Sequence, residues 1–229
     1  MPTAPEEMTL KVIAHIHTAF PTKFGIPRQS GLADVPARIV FEPEYRNADA
    51  LRGIEEYSHL WLIWQFSEAV RESWSPTVRP PKLGGNRRVG VFATRSPFRP
   101  NAIGLSSVRL HRVEYGTHEG AVLHISGADL MDGTPIFDIK PYLAYTDSHP
   151  EASGSFALAG DAVRVECAEG VLDALPQEKR ETLLRVLAQD PRPGYQHEAG
   201  RIYGFPFGGF EVRFTVADGV LTVLSAEKV

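Results

Sequence analysis

The chain has 229 residues, 43% of them hydrophobic and 23% charged, with a formal net charge of −4 at pH 7. This composition is typical of a water-soluble globular protein that buries a sizeable core. No apolar run approaches the roughly 20 residues of a membrane span, and the N-terminus shows no signal-peptide pattern, so we expect a cytoplasmic protein outside the membrane. The single cysteine, Cys167, excludes an intrachain disulfide and a cysteine zinc cluster, and its neighbours predict a small buried side chain.

The first two thirds of the chain alternate short β-type runs with loops rich in proline and glycine. We predict strands at residues 10–17, 38–41, 58–66, 89–93, 103–110, 122–126 and 138–142. The run 58–66 is almost wholly apolar, which predicts a strand buried on both faces, and Asn47 is expected to cap a helical turn at 47–53. Because no predicted helix here exceeds two turns, the pattern excludes a doubly wound nucleotide-binding sheet and favours an antiparallel barrel or sandwich.

The last third of the chain has a different pattern and follows a predicted linker at residues 146–160. Its predicted elements are a strand at 162–166, a helix at 177–189 and strands at 201–205, 210–216 and 221–224. Pro176 is expected at the first helical position, and Asp218-Gly219 at a hairpin turn. We therefore expect a mainly β protein, with an antiparallel β-barrel-like or sandwich N-terminal domain at residues 8–146 and a small α+β C-terminal domain at residues 160–229.

Positive charge is concentrated between residues 73 and 113, where there is no aspartate or glutamate. Eight arginine and lysine side chains fall in this tract, so the rest of the chain carries a net charge of −12. A basic tract in an acidic protein suits a polyanion such as nucleic acid, and charge alone is equally compatible with a solvated face. Within the tract, Pro97 and Pro100 fix a loop crowded with polar side chains, which is unusual for a loop that serves packing alone.

This loop lies in the run GVFATRSPFRPNAIGL, residues 90–105, which resembles the signature of the TrmO family (YaeB-like, TsaA-like) of tRNA methyltransferases. Further blocks in the same order extend the resemblance over nearly the whole chain, at residues 26–29, 56–61, 76–81, 129–135, 138–142 and 187–195. The resemblance implies an enzyme that uses S-adenosyl-L-methionine to methylate N6 of N6-threonylcarbamoyladenosine at tRNA position 37, beside the anticodon. It also implies a barrel that binds this cofactor with its loops, without a Rossmann motif, and a homodimer.

Carried across position by position, the resemblance implies a cofactor site formed by three short segments and two single residues. Its residues are Pro27, Arg28, Gln29, Ser67, Glu68, Arg95, Leu105, Asp129, Leu130, Met131 and Asp132. A carboxylate such as Asp129 or Asp132 suits the cationic methionine end of the cofactor, and an arginine suits its carboxylate. At Ser67-Glu68 the chain departs from the family, in which many members have His-Gln. From residue chemistry alone, the segment 129–133 fits a ligand-holding loop and a plain Asp-Gly turn equally well.

The acceptor of the implied reaction is a urea nitrogen, a poor nucleophile until its proton leaves, so we expect a base or a proton relay nearby. Asp138 and Tyr142 are the candidate bases, and Asn101 is expected to orient the urea carbonyl. The expected substrate contacts are Lys140 or Arg99 on the threonyl carboxylate and Arg192 and Tyr195 on tRNA. For the segment that holds Arg192 and Tyr195, a helix stop followed by a turn is the structural alternative.

Other interpretations of the same residues stay open. His15 and His17 share one strand face, a spacing that suits a metal, but no third ligand lies nearby, and no metal is expected. His59 begins the apolar strand and fits a structural histidine better than a catalytic one. A non-catalytic RNA-binding β-barrel explains the basic tract but not the Asp129 turn, and a hydrolytic or small-molecule barrel that uses His59 and Asp138 lacks a nucleophile in a recognisable setting.

Overall fold

The computed structural model describes residues 7–80, 87–154, 162–192, 198 and 200–229. Its strands are β1 Ala14–His17, β2 Pro36–Phe41, β3 His59–Gln65, β4 Thr77–Val78, β5 Val89–Gly90, β6 Ile103–Thr117, β7 Gly120–Ser126, β8 Pro135–Pro141, β9 Arg164–Cys167, β10 Tyr203–Phe207, β11 Phe210–Ala217 and β12 Val220–Lys228. The helices are α1 Ala144–Asp147 and α2 Gln177–Ala188. The chain is mainly β, as the sequence pattern predicts.

The N-terminal part is a closed antiparallel barrel with the strand order β1-β2-β7-β6-β3-β8. β1 closes the barrel because it pairs with β2 on one side and with β8 on the other. Alternate side chains of each strand point inward, where Ile16, Ile39, Leu60, Leu62 and Leu123 are fully buried. The predicted barrel is therefore confirmed, and its closed interior holds one of the two hydrophobic cores.

The C-terminal part is a four-stranded sheet in the order β10-β11-β12-β9, in which β9 runs parallel to β12. The side chains of Leu183, Val186 and Leu187 on α2 belong to the second hydrophobic core together with this sheet. The hairpin between β11 and β12 turns at Asp218 and Gly219, both of which have positive φ, as the Asp-Gly pair predicts. Residues 155–160 of the predicted linker lie outside the described residues.

A segment of the N-terminal part reaches into this second core. We call residues 18–35, between β1 and β2, the docking loop. Its Phe20 ring meets Phe207 with a centroid distance of 5.6 Å, and its Phe24 ring meets Phe205 at 5.9 Å. Gly25 of the same loop has φ +92° and lies so close to Phe205 that an added Cβ would come within 2.3 Å of that ring. The docking loop is thus packed against the C-terminal sheet.

Three local predictions are wrong. β3 is buried on one face only: Trp64 points into the barrel, while Trp61 lies on the outer face, half-buried, because the strand alternates like its neighbours. The predicted strand 89–93 stops at Gly90, and Val91–Ala93 forms a 3-10 turn. Cys167 is exposed rather than buried, because β9 lies at the edge of the C-terminal sheet and three of its four residues are exposed.

The remaining short elements connect the strands. β4 and β5 form a two-stranded antiparallel sheet. A 3-10 turn at Ala48–Leu51 begins after Asn47, whose side chain accepts a hydrogen bond from the Asp49 backbone N–H at 3.0 Å, as the predicted N-cap requires. Pro176 is the N-cap residue of α2 rather than its first residue. Within the described residues, no helix has the length and apolar character that crossing a bilayer requires.

Candidate functional site

A cleft of about 1920 Å³ opens between the docking loop, the β4–β5 sheet, the loop before β6 and the turn after α2. Five residues predicted from the sequence line it, namely Arg28, Gln29, Arg95, Arg99 and Arg192. Sites for small molecules in proteins typically enclose about 300–1,000 Å³. The cleft is therefore large enough for a cofactor together with part of a polymeric substrate.

The loop between β5 and β6, residues 91–102, which we call the signature loop, is held by its own polar side chains. The Thr94 hydroxyl donates to the Val91 carbonyl at 2.8 Å and accepts from the Ser96 backbone N–H at 3.2 Å. Arg99 Nη1 donates to the carbonyls of Thr94 at 2.7 Å and Val91 at 3.3 Å. The crowded polar residues of this loop thus fix its shape, and Arg99 supports the loop from the cleft wall.

A chain of hydrogen bonds joins the signature loop to the docking loop and to the C-terminal part. Arg95 Nη1 donates to Gln29 Oε1. Arg28 Nη2 in turn donates to the carbonyls of Asp190 at 3.0 Å and Arg192 at 2.9 Å, in the turn after α2. Pro27, the third predicted residue of this segment, is buried. The structure therefore brings Arg28, Gln29 and Arg95 together, as the resemblance implies, and anchors them to the C-terminal part.

Asp129 is the carboxyl of the site whose pKa and hydrogen bonds set it apart. The Ser106 hydroxyl donates to Asp129 Oδ1 at 2.5 Å, and Trp64 Nε1 donates to the Ser106 oxygen at 3.0 Å from inside the barrel. Burial raises the pKa of the Asp129 carboxyl, and the Ser106 hydrogen bond and the positive charge of Arg95 only partly oppose that shift. A cationic group placed beside Asp129 would stabilise its ionised form.

The other residues of the turn between β7 and β8 have different surroundings. Leu130 is buried in the barrel core, and Met131 is half-buried. Asp132 Oδ1 accepts a hydrogen bond from the Thr18 backbone N–H at 3.0 Å and lies 3.4 Å from His17 Nδ1. Of the two carboxylates in this turn, only Asp129 is linked to Arg95 and Ser106.

Ser67 and Glu68, where the chain departs from the family pattern, form an exposed 3-10 turn directly after β3. The Glu68 carboxylate pairs with Lys23 Nζ of the docking loop at 3.0 Å, and the same Nζ donates to the Glu68 carbonyl at 3.3 Å. These contacts place the Ser67-Glu68 turn against the docking loop.

The residues expected to act on the methyl acceptor, Asp138, Lys140 and Tyr142, lie on the outer face of the barrel. Asp138 and Leu105 both pair with Ile63 of the intervening strand β3, so their side chains share one face about 10 Å apart. Lys140 Nζ lies 3.0 Å from Asp138 Oδ2, and the Tyr142 ring packs against Trp61 with a centroid distance of 5.4 Å. Among the described residues, no hydrogen bond or ion pair joins this group to Arg95 or Asp129. The predicted residues therefore fall into two groups within one chain.

The remaining predicted residues are Asn101, Arg192 and Tyr195. Asn101 is exposed at the end of the signature loop, two residues before β6. Arg192 pairs with Asp190 through two hydrogen bonds of 2.9 Å, Nε to Oδ1 and Nη2 to Oδ2. Burial alone would raise the pKa of the Asp190 carboxyl, but these bonds and the positive charges of Arg192 and Arg28 together lower it. The Arg192 guanidinium is thus largely occupied in shaping the turn that receives Arg28. Tyr195 lies outside the described residues.

Sequence reasoning missed Ser106 and Trp64, which position Asp129. The signal was present in the alternation of β6, because Ser106 occupies an inward position between Gly104 and Val108. A hydroxyl on a buried strand face requires a partner, and that partner is the carboxyl of Asp129. The two histidines of β1 have separate carboxylate partners, His15 with Glu42 at 2.7 Å and His17 with Asp132. In the part of the chain that is described, no three His, Cys, Asp or Glu side chains come together as a metal site.

Comparison with known proteins identifies the family. The tRNA-methyltransferase O N-terminal domain matches residues 15–148, and the TrmO C-terminal domain matches residues 161–229. The chain is 42% identical over 226 residues to the tRNA (adenine(37)-N6)-methyltransferase of Escherichia coli K12, covering 94% of this chain and 96% of that one. An enzyme of the same name from Eikenella corrodens is 44% identical over 169 residues, which are 73% of this chain and 95% of the other.

A solved structure agrees with these sequence matches. The crystal structure of TrmO from Pseudomonas aeruginosa superposes with a TM-score of 0.79 at 33% identity and covers 99% of both chains. The similarity thus includes both the barrel and the C-terminal sheet, and the resemblance noted in the sequence is confirmed. The chain belongs to the TrmO family.

Proposed function

We propose that this chain is a tRNA methyltransferase that transfers the methyl group of S-adenosylmethionine to N6 of threonylcarbamoyladenosine at tRNA position 37. The relatives from Escherichia coli K12 and Eikenella corrodens are named tRNA (adenine(37)-N6)-methyltransferases. The observation that carries the proposal is the arginine-lined cleft, whose signature-loop residue Arg95 acts electrostatically on the nearby, largely buried Asp129 carboxyl. Transfer of labelled methyl groups to tRNA tests it, because neither a bare RNA-binding barrel nor a hydrolase would transfer them.

The residues present fit S-adenosylmethionine. This cofactor carries an ammonium group, a sulfonium and a carboxylate. Asp129 offers a carboxyl whose ionisation a nearby cation would favour, and Arg28 and Arg95 keep donors in addition to those already bonded within the protein. When bound, the cofactor supplies an activated methyl group. The side chains of this chain would hold the cofactor and acceptor in line, which needs no metal and no covalent enzyme intermediate.

On the acceptor side, an N–CH3 bond forms, the S–CH3 bond breaks, and the nitrogen loses its proton. We propose that Asp138 or Tyr142 accepts this proton, directly or by relay, while Asn101 orients the urea carbonyl. Lys140 or Arg99 would meet the threonyl carboxylate. Lys140 already lies beside Asp138, so one small surface of the barrel offers both a base and a cation. Arg192 and Tyr195 remain proposed tRNA contacts.

Two variants test the proposed base. Asp138→Asn and Tyr142→Phe each remove one proton acceptor with little change of shape. Loss of the true base is expected to lower kcat by about 100- to 10,000-fold, with S-adenosylmethionine affinity unchanged. Single-turnover rates and isothermal titration measure the two quantities separately. If both variants keep full turnover, neither residue is the base.

We further propose that the protein is a homodimer of the cytoplasm, in which a barrel domain, residues 8–146, and a C-terminal domain, residues 160–229, have separate cores. The outer barrel face supports the homodimer, because Ile103 and Leu105 of β6 are 38% and 59% exposed, and Leu105 pairs in register with the half-buried Ile63 of β3. A second copy on this face would cover those apolar side chains. The second copy would also bring its own residues close to Asp138, Lys140 and Tyr142 on the same outer face.

Leu105→Glu tests the homodimer. A charge in the apolar contact is expected to shift the protein from dimer to monomer at micromolar concentration, as measured by sedimentation velocity. Leu224→Glu is the matched control, because Leu224 is also an exposed leucine on a strand, in the C-terminal sheet. The proposal fails if the wild-type protein sediments as a monomer or if Leu105→Glu remains a dimer.

A further inference from the structure

Two large aromatic side chains stand exposed in the cleft wall. Trp74 is 52% exposed and Phe92 is 72% exposed. Their ring centroids lie 6.1 Å apart, with the ring planes inclined by 32°. We call this pair the aromatic rim. Trp74 and Phe92 leave much of their apolar surface open to solvent, so packing within the chain does not account for them.

Positive charge surrounds the aromatic rim. Arg71 lies over the neighbouring Phe98 ring, 3.7 Å from its centroid, and Arg99 lies 5.9 Å from the centroid of Phe92. Arg79 and Arg88 line the same cleft, and Glu72 is the only carboxylate among the described residues that line it. Exposed aromatic rings interleaved with arginines form the usual surface for unpaired nucleotides, whose bases stack while their phosphates meet the cations.

The position of the aromatic rim limits what it can contact. It lies in the same cleft as Gln29 and Arg95, the residues that lead to Asp129. A polymer bound in this cleft at Gln29 and Arg95 therefore has the aromatic rim within the same cleft. A second copy of this chain is disfavoured as the occupant, because a symmetric contact here would bring two arginine-rich faces together.

We propose that Trp74 and Phe92 stack on unpaired bases of the tRNA anticodon loop next to the nucleotide that is methylated. This inference rests on the proposed function. It adds a contact with neighbouring bases of the tRNA, which do not themselves take part in the methyl transfer. Stacking would hold the loop open at the cleft while the arginines meet its phosphates. The rim then contributes to RNA affinity and has no part in binding the cofactor.

The test is the binding of a fluorescent RNA anticodon stem-loop to the full chain by anisotropy. Trp74→Ala and Phe92→Ala are each expected to raise the Kd by about 5- to 100-fold. Trp74→Phe and Phe92→Tyr, which keep an aromatic face, are expected to stay near the wild-type Kd, whereas Phe92→Leu is expected to behave like Phe92→Ala. Tyr115→Ala, at an exposed tyrosine on β6 outside the cleft, is the control and is expected to bind normally.

Three further readouts separate stacking from other roles. The Kd for S-adenosylmethionine and the slope of RNA affinity against salt should not change in Trp74→Ala, because stacking releases no counterions. Trp74 is the one exposed tryptophan of three, so RNA should quench the protein fluorescence in wild type and much less in Trp74→Phe. If both alanine variants bind RNA with the wild-type Kd, the inference is overturned. A change from dimer to monomer at unchanged RNA affinity overturns it too, in favour of a protein contact.

The two proposals fail in different ways. A wild-type protein that binds the stem-loop through the rim but transfers no methyl group would overturn the proposed function and leave the stacking inference standing. If the wild-type protein methylates tRNA and both alanine variants bind RNA normally, the stacking inference is overturned and the proposed function stands.

Discussion

Asp129→Asn is expected to weaken S-adenosylmethionine binding by at least about 30-fold and to leave the fold intact. In the proposed site this carboxylate faces the cationic end of the cofactor in a buried setting, and losing one partner of such a charge pair costs about 2 to 5 kcal/mol. Asparagine keeps the shape and still accepts the Ser106 hydrogen bond. Isothermal titration measures the loss, and Asp218→Asn, an exposed carboxylate in the β11–β12 turn, is the control.

The same variant is expected to be more stable than the wild type at neutral pH. Because burial raises the pKa of Asp129 above its ordinary value of 3.8, the folded state binds this proton more tightly than the unfolded state does. Ionising the carboxyl therefore lowers the free energy of unfolding of the wild type, but not that of Asp129→Asn. The Tm advantage of the variant should grow as pH rises from about 3.8 through the folded pKa, and then level off. A variant that loses stability together with cofactor binding would contradict this account.

Gly25→Ala is expected to lower the free energy of unfolding by about 2 to 5 kcal/mol and to weaken cofactor binding with it. The change places a Cβ 2.3 Å from the Phe205 ring at a residue with φ +92°. Left-handed backbone costs about 1–2 kcal/mol for alanine, and overpacking costs about 1–3 kcal/mol more. Since Arg28 and Gln29 lie on the same docking loop, displacing the loop from the C-terminal sheet should move them. Urea unfolding and isothermal titration measure the two effects.

Gly31→Ala separates the two causes. Gly31 lies on the same loop with φ +77°, but a Cβ there would meet nothing within 4 Å. The Gly31→Ala variant should therefore lower the free energy of unfolding only by the cost of a left-handed backbone at alanine. Phe205→Leu in the Gly25→Ala background should recover part of the lost stability, because the smaller side chain makes room for the new methyl group. Equal stability of Gly25→Ala and Gly31→Ala would mean that the contact with Phe205 does not hold the docking loop.

The barrel could be predicted from the sequence because its strands alternate with period two and lack amphipathic helices between them. The docking loop could not. Phe20 and Phe24 occur in a segment broken by prolines and glycines, and only the three-dimensional structure shows that they fill the core of a sheet formed about 180 residues later. The exposure of Cys167 could not be predicted for a related reason: its apolar neighbours indicate a strand, but not that this strand lies at a sheet edge.

The sequence suggests individual residues for the candidate site but not their arrangement. Asp129 and Asp132 are equivalent in the sequence, and what distinguishes them is Ser106, which comes from another strand and supports only Asp129. Asp129 lies in the turn between β7 and β8, whereas Asp138 lies on β8 itself, and local sequence patterns do not fix how a turn and a strand face are arranged around a barrel. The exposed Trp74 and Phe92 are likewise ordinary loop aromatics until the structure places them together.

The most direct test is methyl incorporation from labelled S-adenosylmethionine into two forms of one tRNA, one carrying threonylcarbamoyladenosine and one unmodified. Label is expected in the modified tRNA alone, released as N6-methylated threonylcarbamoyladenosine on nuclease digestion. No label in either form, together with no binding of S-adenosylmethionine, would contradict it and show a TrmO scaffold without TrmO chemistry.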